Sequence, residues 1–362
     1  MPTITIDGKT CEFDGKKMIL QVALENGIDI PHYCYHPGLS IVASCRICLA
    51  EVAQPDPRND GKLSTIPKLL PTCQTPAVDG AEVTTTSEKA EANQKAVMEY
   101  LLINHPLDCP VCDQAGECFL QDYSYEYGRA YSRFEESKQK NPKKDIGDHV
   151  LLYADRCIMC TRCVRFTREV TGTDELCVAG RGHTEEIDVF PGKALNNPLS
   201  GNVVDICPVG ALLDKEFLMS QRVWFLTSTP SIDGLTASGD NIYVDHNDGR
   251  VWRFKPRTNL DVNKWWISDE IRYSWKHVHD EGRLIQPMVK GNEGQQVVPW
   301  KQALARTVEG LSGKKVAVMV SPMLSCEDAY LLGKAIRSID EGAILGVGPV
   351  PKIGENQTFP GD

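Results

Sequence analysis

Eleven of the fourteen cysteines and one histidine fall into three spaced groups of four. Cys34, Cys45, Cys48 and Cys73 read C-x10-C-x2-C-x24-C. His105, Cys109, Cys112 and Cys118 read H-x3-C-x2-C-x5-C. Cys157, Cys160 and Cys163 read C-x2-C-x2-C, with Cys207-Pro208 as a distant fourth member. Thiolates and imidazole are the donors of tetrahedral zinc sites and of iron–sulfur clusters alike. Fourteen cysteines in a chain with no secretory pattern point to metal or redox chemistry rather than disulfides.

The third group discriminates best. Bacterial ferredoxins carry C-x2-C-x2-C-x3-C-P, where the fourth cysteine serves the other cluster. Here Thr167 occupies that place, and the remote Cys-Pro survives as Cys207-Pro208. This is a ferredoxin pattern reduced to one [4Fe–4S] cube. Three zinc sites would match the ligand count but not this order. The first group is related to the plant-type C-x4-C-x2-C…C pattern, with a longer first gap, and reads as a [2Fe–2S] site. A structural zinc on the same cysteines stays open as the alternative. Ser44, small and beside Cys45, leaves room for backbone N–H groups to approach sulfur.

The second group offers three cysteines, and a [4Fe–4S] cube needs a fourth ligand. A lone histidine near a helix end is ordinarily a surface or packed residue. His105 is nonetheless the nearest candidate for the missing donor. Cys11, Cys177 and Cys326 lie outside all three spacings and read as packed or free thiols. Arg156, Arg162, Arg165 and Arg168 crowd the third group. They are either solvated helix surface or charges that favour the reduced cluster.

Elements must place these donors. TITIDGKTCEFDG alternates apolar and polar residues and predicts a β-hairpin. Met18, Ile19, Val22, Ala23 and Leu24 predict a helix that Gly27 ends, and RICLAEVA predicts a return strand. Together they suggest a β-grasp ferredoxin. Ala96, Val97, Tyr100 and Leu101 predict the apolar stripe of a second helix, with Ser87 as N-cap and Pro106 as terminator. His105 then sits at or just past the helix end. Further on, turns are expected at Asp240-Asn241 and Asp248-Gly249, and residues 314–348 read as strand, helix, strand.

Composition sets the outer limits. A chain of 362 residues with net charge −10 has room for several domains and lacks the basic footprint of a nucleic-acid binder. No apolar run approaches the ~18 residues of a membrane span. MPTITIDGKT lacks a charged segment followed by an apolar one, so a cytoplasmic protein is expected. No G-x-G-x-x-G or G-x-x-x-x-G-K-[ST] appears, and no Ser–His–Asp or Cys–His nucleophile is apparent. His183 in GRGHTEE reads as part of a polar loop.

The three spacings in this order, with CPVCDQAGECFLQD and DRCIMCTRCVRF, resemble the large iron–sulfur subunit family of NADH-quinone oxidoreductase, respiratory complex I. The motifs cover about residues 1–217. The same module opens diaphorase partners of NAD-reducing hydrogenases, which gives the alternative of a hydrogenase- or formate-dehydrogenase-linked subunit. The stretch from Val223 to Tyr273 resembles the small domain that opens molybdopterin-type oxidoreductases. It contains no cysteine, so it resembles the cluster-free version and favours complex I. The α/β domain of the family continues well beyond Asp362, so a truncated chain is expected.

The implied fold is α+β and multidomain. Its segments are a β-grasp [2Fe–2S] ferredoxin (1–80), a histidine/cysteine-ligated [4Fe–4S] segment (81–147) and a bacterial-ferredoxin-like [4Fe–4S] domain (148–218). A cluster-free molybdopterin-oxidoreductase-like β domain (219–276) and the start of an α/β domain (277–362) follow. The resemblance implies electron relay between a flavin-containing NADH-oxidising subunit and the quinone-side iron–sulfur subunits. NADH would bind elsewhere. The chain would lie on the inner face of the plasma membrane through its partners, with no nucleic-acid partner. One [2Fe–2S] and two [4Fe–4S] clusters predict about ten irons per chain after anaerobic reconstitution. Iron and sulfide analysis checks this, and a yield of about four irons or fewer would contradict it.

Overall fold

The computed structural model describes residues 1–292, 294–350 and 357–361. The chain divides into two compact units. One comprises Met1–Ser231, Asp240–Tyr273 and Thr358–Asp362, and the other comprises Ile232–Gly239 and Ser274–Gln357. Among the described residues no helix is long and apolar enough to cross a membrane.

The first unit opens with the expected hairpin, β1 (Thr3–Ile6) and β2 (Lys9–Glu12), paired antiparallel. Its turn, Asp7-Gly8, has positive φ at both residues, as a two-residue hairpin requires. Period-two alternation sends Ile4 and Ile6 inward. α1 (Ile19–Glu25) follows, and Gly27, at φ +68°, ends it. The buried face is Ile19, Leu20, Val22 and Ala23, whereas Leu24 of the expected stripe is exposed. β3 (Leu49–Pro55), β4 (Leu63–Thr65), β5 (Leu70–Pro71) and β6 (Ala81–Thr84) complete a mixed sheet of order β2-β1-β6-β3-β4, with β5 on β3. β1 and β6 run parallel. The return strand starts at Leu49 and not at Arg46, because Arg46 has a left-handed φ of +61° and still belongs to the cysteine loop. The sheet and α1 enclose a core that includes Cys11, a packed thiol as expected.

α2 (Glu88–Ile103) begins where Ser87 Oγ accepts from the Ala90 N–H at 3.3 Å. Its buried face is Ala90, Gln94, Val97 and Met98. Ala96 and Tyr100 are exposed, so the helix is rotated about one position from the expected stripe. The reason is tertiary: the buried Tyr33 hydroxyl donates to Met98 Sδ at 3.1 Å, drawing that face inward. Lys138 Nζ donates to the Leu102 and Ile103 carbonyls at 2.8 Å each, closing the helix just before His105.

α3 (Phe119–Glu126), β7 (Lys143–Asp145), β8 (Val150–Tyr153), α4 (Arg162–Glu169), β9 (Leu176–Ala179), β10 (Glu186–Val189), α5 (Asn202–Ile206) and β11 (Leu212–Asp214) follow. They form two small antiparallel sheets, β10-β9 and β11-β8-β7. One core joins these elements to α2 and to residues 33–47, with Phe166 fully buried and edge-on to Trp266 at 4.9 Å.

β12 (Thr227–Ile232), β13 (Asn241–Asn247) and β14 (Arg250–Pro256) make an antiparallel sheet, and α6 (Asp269–Tyr273) lies after it. Asp248-Gly249 forms the β13–β14 turn, both at positive φ, as expected. Asp240-Asn241 is not a turn: Asn241 already opens β13, and the chain reverses earlier, at Ala237-Ser238. The second unit holds β15 (Met288–Gly291), β16 (Gly294–Val297), α7 (Trp300–Leu311), β17 (Ala317–Val320), α8 (Cys326–Ile339) and β18 (Ile344–Val347). β17 and β18 pair in parallel around α8, the expected βαβ unit, packed on Val316, Ile336 and Ala343. Asp362, at which truncation is expected, lies outside the described residues.

Phe166→Ala should destabilise the first unit by about 3–5 kcal/mol, since it empties a buried aromatic site. Urea unfolding followed by far-UV circular dichroism would read this as an earlier transition.

Candidate iron–sulfur sites

The first group converges. The Cys34 sulfur is hydrogen-bonded to the Cys45 and Cys73 thiols, and Cys73 also to Cys48. The four sulfurs therefore face one another. These bonds lower the Cys34 pKa and, with burial, raise that of Cys73; Cys48 falls to about 7 through its bond to Cys73. Backbone N–H groups of Cys45 and Ser44 point at the Cys34 sulfur, the approach that a small residue at position 44 permits. Ala43 and Arg46 are left-handed, at φ +50° and +61°, which folds the loop around the sulfurs.

The third group also converges. Cys157, Cys160, Cys163 and Cys207 line one cavity together with Leu152, Ile158, Ile187, Val209 and Leu212. Burial pushes all four thiols up, Cys160 to about 11, and Cys157, Cys160 and Cys163 each feel the charge of another member. Met159 and Thr161, at φ +52° and +57°, alternate with the cysteines. The Met159 N–H donates to Cys157 Sγ at 3.4 Å, and N–H groups of Val209, Leu212 and Ala211 serve Cys207. Such donors favour thiolate in a water-poor cavity.

The second group is looser. Cys109 is exposed, while Cys112 and Cys118 are buried, with Cys118 pushed up to about 11 by burial. Cys118 feels Cys112 and Cys109, so the three thiols are neighbours. His105 stands just past α2, as expected. Its Nδ1 is buried and has no hydrogen-bond partner. Burial and then Arg156 lower its pKa to about 4, which keeps the ring neutral. The groups acting on it are Arg156, Lys138 and Asp108, with no cysteine thiol among them. An orphaned, neutral ring nitrogen four residues before the first of three neighbouring thiols suits a metal-ligand role, so the donor types fit a cluster. Among the described residues no group of three or more His, Cys, Asp or Glu is arranged to hold a single metal ion.

Cys177 is half-buried in β9, and Cys326 is exposed in the first turn of α8. Arg168 is solvated, but Arg156, Arg162 and Arg165 are buried, which overturns the surface reading for those three. Arg156 donates to Asp108 Oδ2 at 2.8 and 3.1 Å and stacks on Tyr153 at 4.0 Å.

Two features escaped the spacing pattern. A Cβ on Gly210 would overlap Cys112 Sγ and lie 3.1 Å from Gln114 Cβ, so the Cys-Pro loop of the third group cradles a sulfur of the second. Its signal was a glycine three residues past Cys207. Glu117, next to Cys118, takes both terminal nitrogens of Arg253 at 3.0 Å each and Lys255 Nζ at 3.1 Å. Burial works to raise the Glu117 carboxyl, and Lys255 and Arg253 outweigh it and hold it below the ordinary range. No sequence spacing marks that pairing.

Four family models match. They are a 2Fe-2S iron-sulfur cluster binding domain at 1–88 and an NADH-ubiquinone oxidoreductase-G iron-sulfur binding region at 94–133. An NADH-quinone oxidoreductase subunit 3 ferredoxin-like domain matches 147–213, and an NDSU1/NuoG-like 4Fe-4S domain matches 226–276. The last stretch holds no cysteine. The fold and these sites define a multidomain iron–sulfur protein, a 2Fe–2S ferredoxin domain followed by 4Fe–4S domains.

Among curated relatives, the mitochondrial NADH dehydrogenase [ubiquinone] iron-sulfur protein 1 of Solanum tuberosum is 43% identical over 84% of this chain and 40% of its own length. The NADH-ubiquinone oxidoreductase 75 kDa subunit of Reclinomonas americana is 38% identical over 95% of this chain and 49% of its own. The mitochondrial NADH-ubiquinone oxidoreductase 78 kDa subunit of Candida albicans is 40% identical over 83% of this chain and 41% of its own. A crystal structure of an NAD+-reducing [NiFe]-hydrogenase matches at TM-score 0.52 and 28% identity, over 61% of this chain and 91% of that chain. The chain belongs to the family of the large iron–sulfur subunit of NADH-quinone oxidoreductase, and it spans under half the length of these curated relatives.

Gly210→Ala should displace Cys112 and cost the chain up to about four irons, those of one cube. Iron analysis and EPR of the reduced protein would read the loss, and full iron retention would mean that Cys112 is free to shift.

Proposed function

We propose that this chain is the electron-relay subunit of an NADH-quinone oxidoreductase. Cys34, Cys45, Cys48 and Cys73 would hold a [2Fe–2S] cluster. His105, Cys109, Cys112 and Cys118 would hold one [4Fe–4S] cluster, and Cys157, Cys160, Cys163 and Cys207 a second. The five segments 1–80, 81–147, 148–218, 219–276 and 277–362 would be its modules. When bound, such clusters supply one-electron steps at potentials set by ligand type, hydrogen bonds to sulfur and exposure.

One observation carries the reading: the three donor sets adjoin. Arg165 donates to the carbonyls of both Cys34 and Cys160, at 2.6 and 3.2 Å. Cys207 feels the charge of Cys118, and the Phe119 N–H donates to the Pro208 carbonyl at 3.1 Å. A relay needs such contiguity, whereas separate structural zinc sites do not.

The chain's own residues bind the metal, exclude water with Leu152, Ile187 and Leu212, and aim N–H groups at sulfur. Electrons would enter from a flavin-containing, NADH-oxidising subunit and leave toward quinone-side iron–sulfur subunits. The membrane would be met only through partners, at the inner face of the plasma membrane. A net charge of −10 gives no footing for nucleic acid. The alternative, a diaphorase-type subunit, draws on the likeness to the hydrogenase chain. That chain is nearly used up by 61% of this one, which leaves little of it to pair with the remainder.

Low-temperature EPR of the reconstituted, dithionite-reduced chain tests the reading, with His105 as the sharpest probe. Histidine in place of thiolate raises cluster potential, as in Rieske centres, where two histidines account for roughly 250 mV or more. His105→Cys should keep the cluster and lower its midpoint by on the order of 100 mV. His105→Ala should make that cluster labile while the other two signals persist. An unchanged midpoint and stability in both variants would exclude His105 as a ligand.

A further inference from the structure

Two guanidinium groups sit between the first and third cysteine groups without a carboxylate partner. Arg162 and Arg165 are about 5 and 6% exposed. Among the described residues neither forms an ion pair with Asp or Glu, although the other buried arginines, Arg156 and Arg272, each have one. Their hydrogen bonds go to carbonyls and one hydroxyl. Arg162 donates to Tyr35 O at 2.6 Å and Ile206 O at 3.2 Å, and its Nε is buried without a partner. Arg165 donates to Cys34 O, Cys160 O, Ser40 O and Thr161 Oγ1. Each fork thus spans from the loop of the first group to an element of the third.

A buried cation without a counter-charge is strongly unfavourable. Neutral carbonyls offset part of that and leave net charge +1 on each arginine, because a guanidinium stays protonated. Glu169 meets Arg165 only through Ser40, from whose N–H and Oγ it accepts, and the other negative charges near the pair would be ligating sulfurs. Cys160, Cys207 and Cys34 all act on Arg162, and both arginines act on Cys160. His32 and His36, also packed nearby, feel the same positive charge and are held neutral chiefly by burial.

We propose that Arg162 and Arg165 form a cationic bridge shared by the [2Fe–2S] site and the third-group [4Fe–4S] site, raising the reduction potential of both. The bridge rests on the cluster assignment above and extends it. Reduction adds one electron to either cluster and no bond forms or breaks, so a fixed positive charge between them stabilises each reduced state. The arginines are positioning residues, and they also fix the spacing of the two loops through the carbonyls they share.

The test is a redox titration with EPR detection on the full reconstituted chain, comparing wild type with Arg162→Gln and Arg165→Gln. Each variant should shift the one-electron reduction equilibrium of both sites at least tenfold toward the oxidised form, ~59 mV for a one-electron couple. The His105-containing site should move less. If a glutamine variant does not hold iron, Arg165→Lys decides. Lysine keeps the charge while giving up the second carbonyl, so both midpoints should stay within tenfold of wild type, and a tenfold fall of both overturns the bridge as a charge effect. In a glutamine variant that keeps its iron, both midpoints unchanged overturn the bridge, as does movement of the third-group site alone. A wild-type chain without either signal removes the cluster assignment and the bridge with it.

Discussion

Sulfur taken out of water is the constraint on which the rest of the first unit depends. A thiol in a dry cavity resists ionisation, and burial is the largest cause that pushes Cys118 and Cys160 to about 11. Metal ligation requires the opposite, a thiolate. The chain meets this with oriented donors. Backbone N–H groups reach Cys34, Cys157 and Cys207, and each set of donors needs a tightly wound loop. That need accounts for four non-glycine residues held at positive φ: Ala43, Arg46, Met159 and Thr161. Left-handed backbone is costly for such residues, and it persists where surrounding packing over-determines it. Here the packing is the shared core around Phe166, Leu152 and Tyr33.

Positive charge is the second response, and it is distributed unevenly. Arg156 is paired with Asp108 and lies beside the second group. Arg162 and Arg165 are left with carbonyls, at the boundary between the first and third groups. The same residue type therefore serves as a neutralised strut at one boundary and as an uncompensated charge at another.

The stretch without cysteine contributes by holding others in place. Arg253 and Lys255 on β14 grip Glu117, one residue from Cys118, and Arg253 also takes Asp245 at 2.7 Å. At its far end the Asp269 carboxylate accepts from Ser200 Oγ at 2.6 Å and the Gly201 N–H at 2.8 Å. Asn202 exchanges hydrogen bonds with the backbone of Ile267. These buried polar groups are satisfied by one another, which ties the small β sheet to both flanks of the second and third groups. A stretch without a cysteine thus still sets the geometry around the cysteines next to it.

Spacing and local pattern determined the three groups, the leftover thiols, the hairpin, the βαβ unit and the helix that ends just before His105. These are local properties, since turn chemistry, capping and ligand intervals act over a few residues. Tertiary structure decided what depends on distant neighbours. The buried face of α2 is set by Tyr33 reaching Met98 across 65 positions, a contact no periodicity encodes. Whether an arginine beside a cysteine faces water or a carbonyl depends on which segment packs over it. Glu117 finds Arg253 across 136 positions. The closeness of the three sites follows from loops of separate modules sharing one core, and a linear string of intervals carries no term for that.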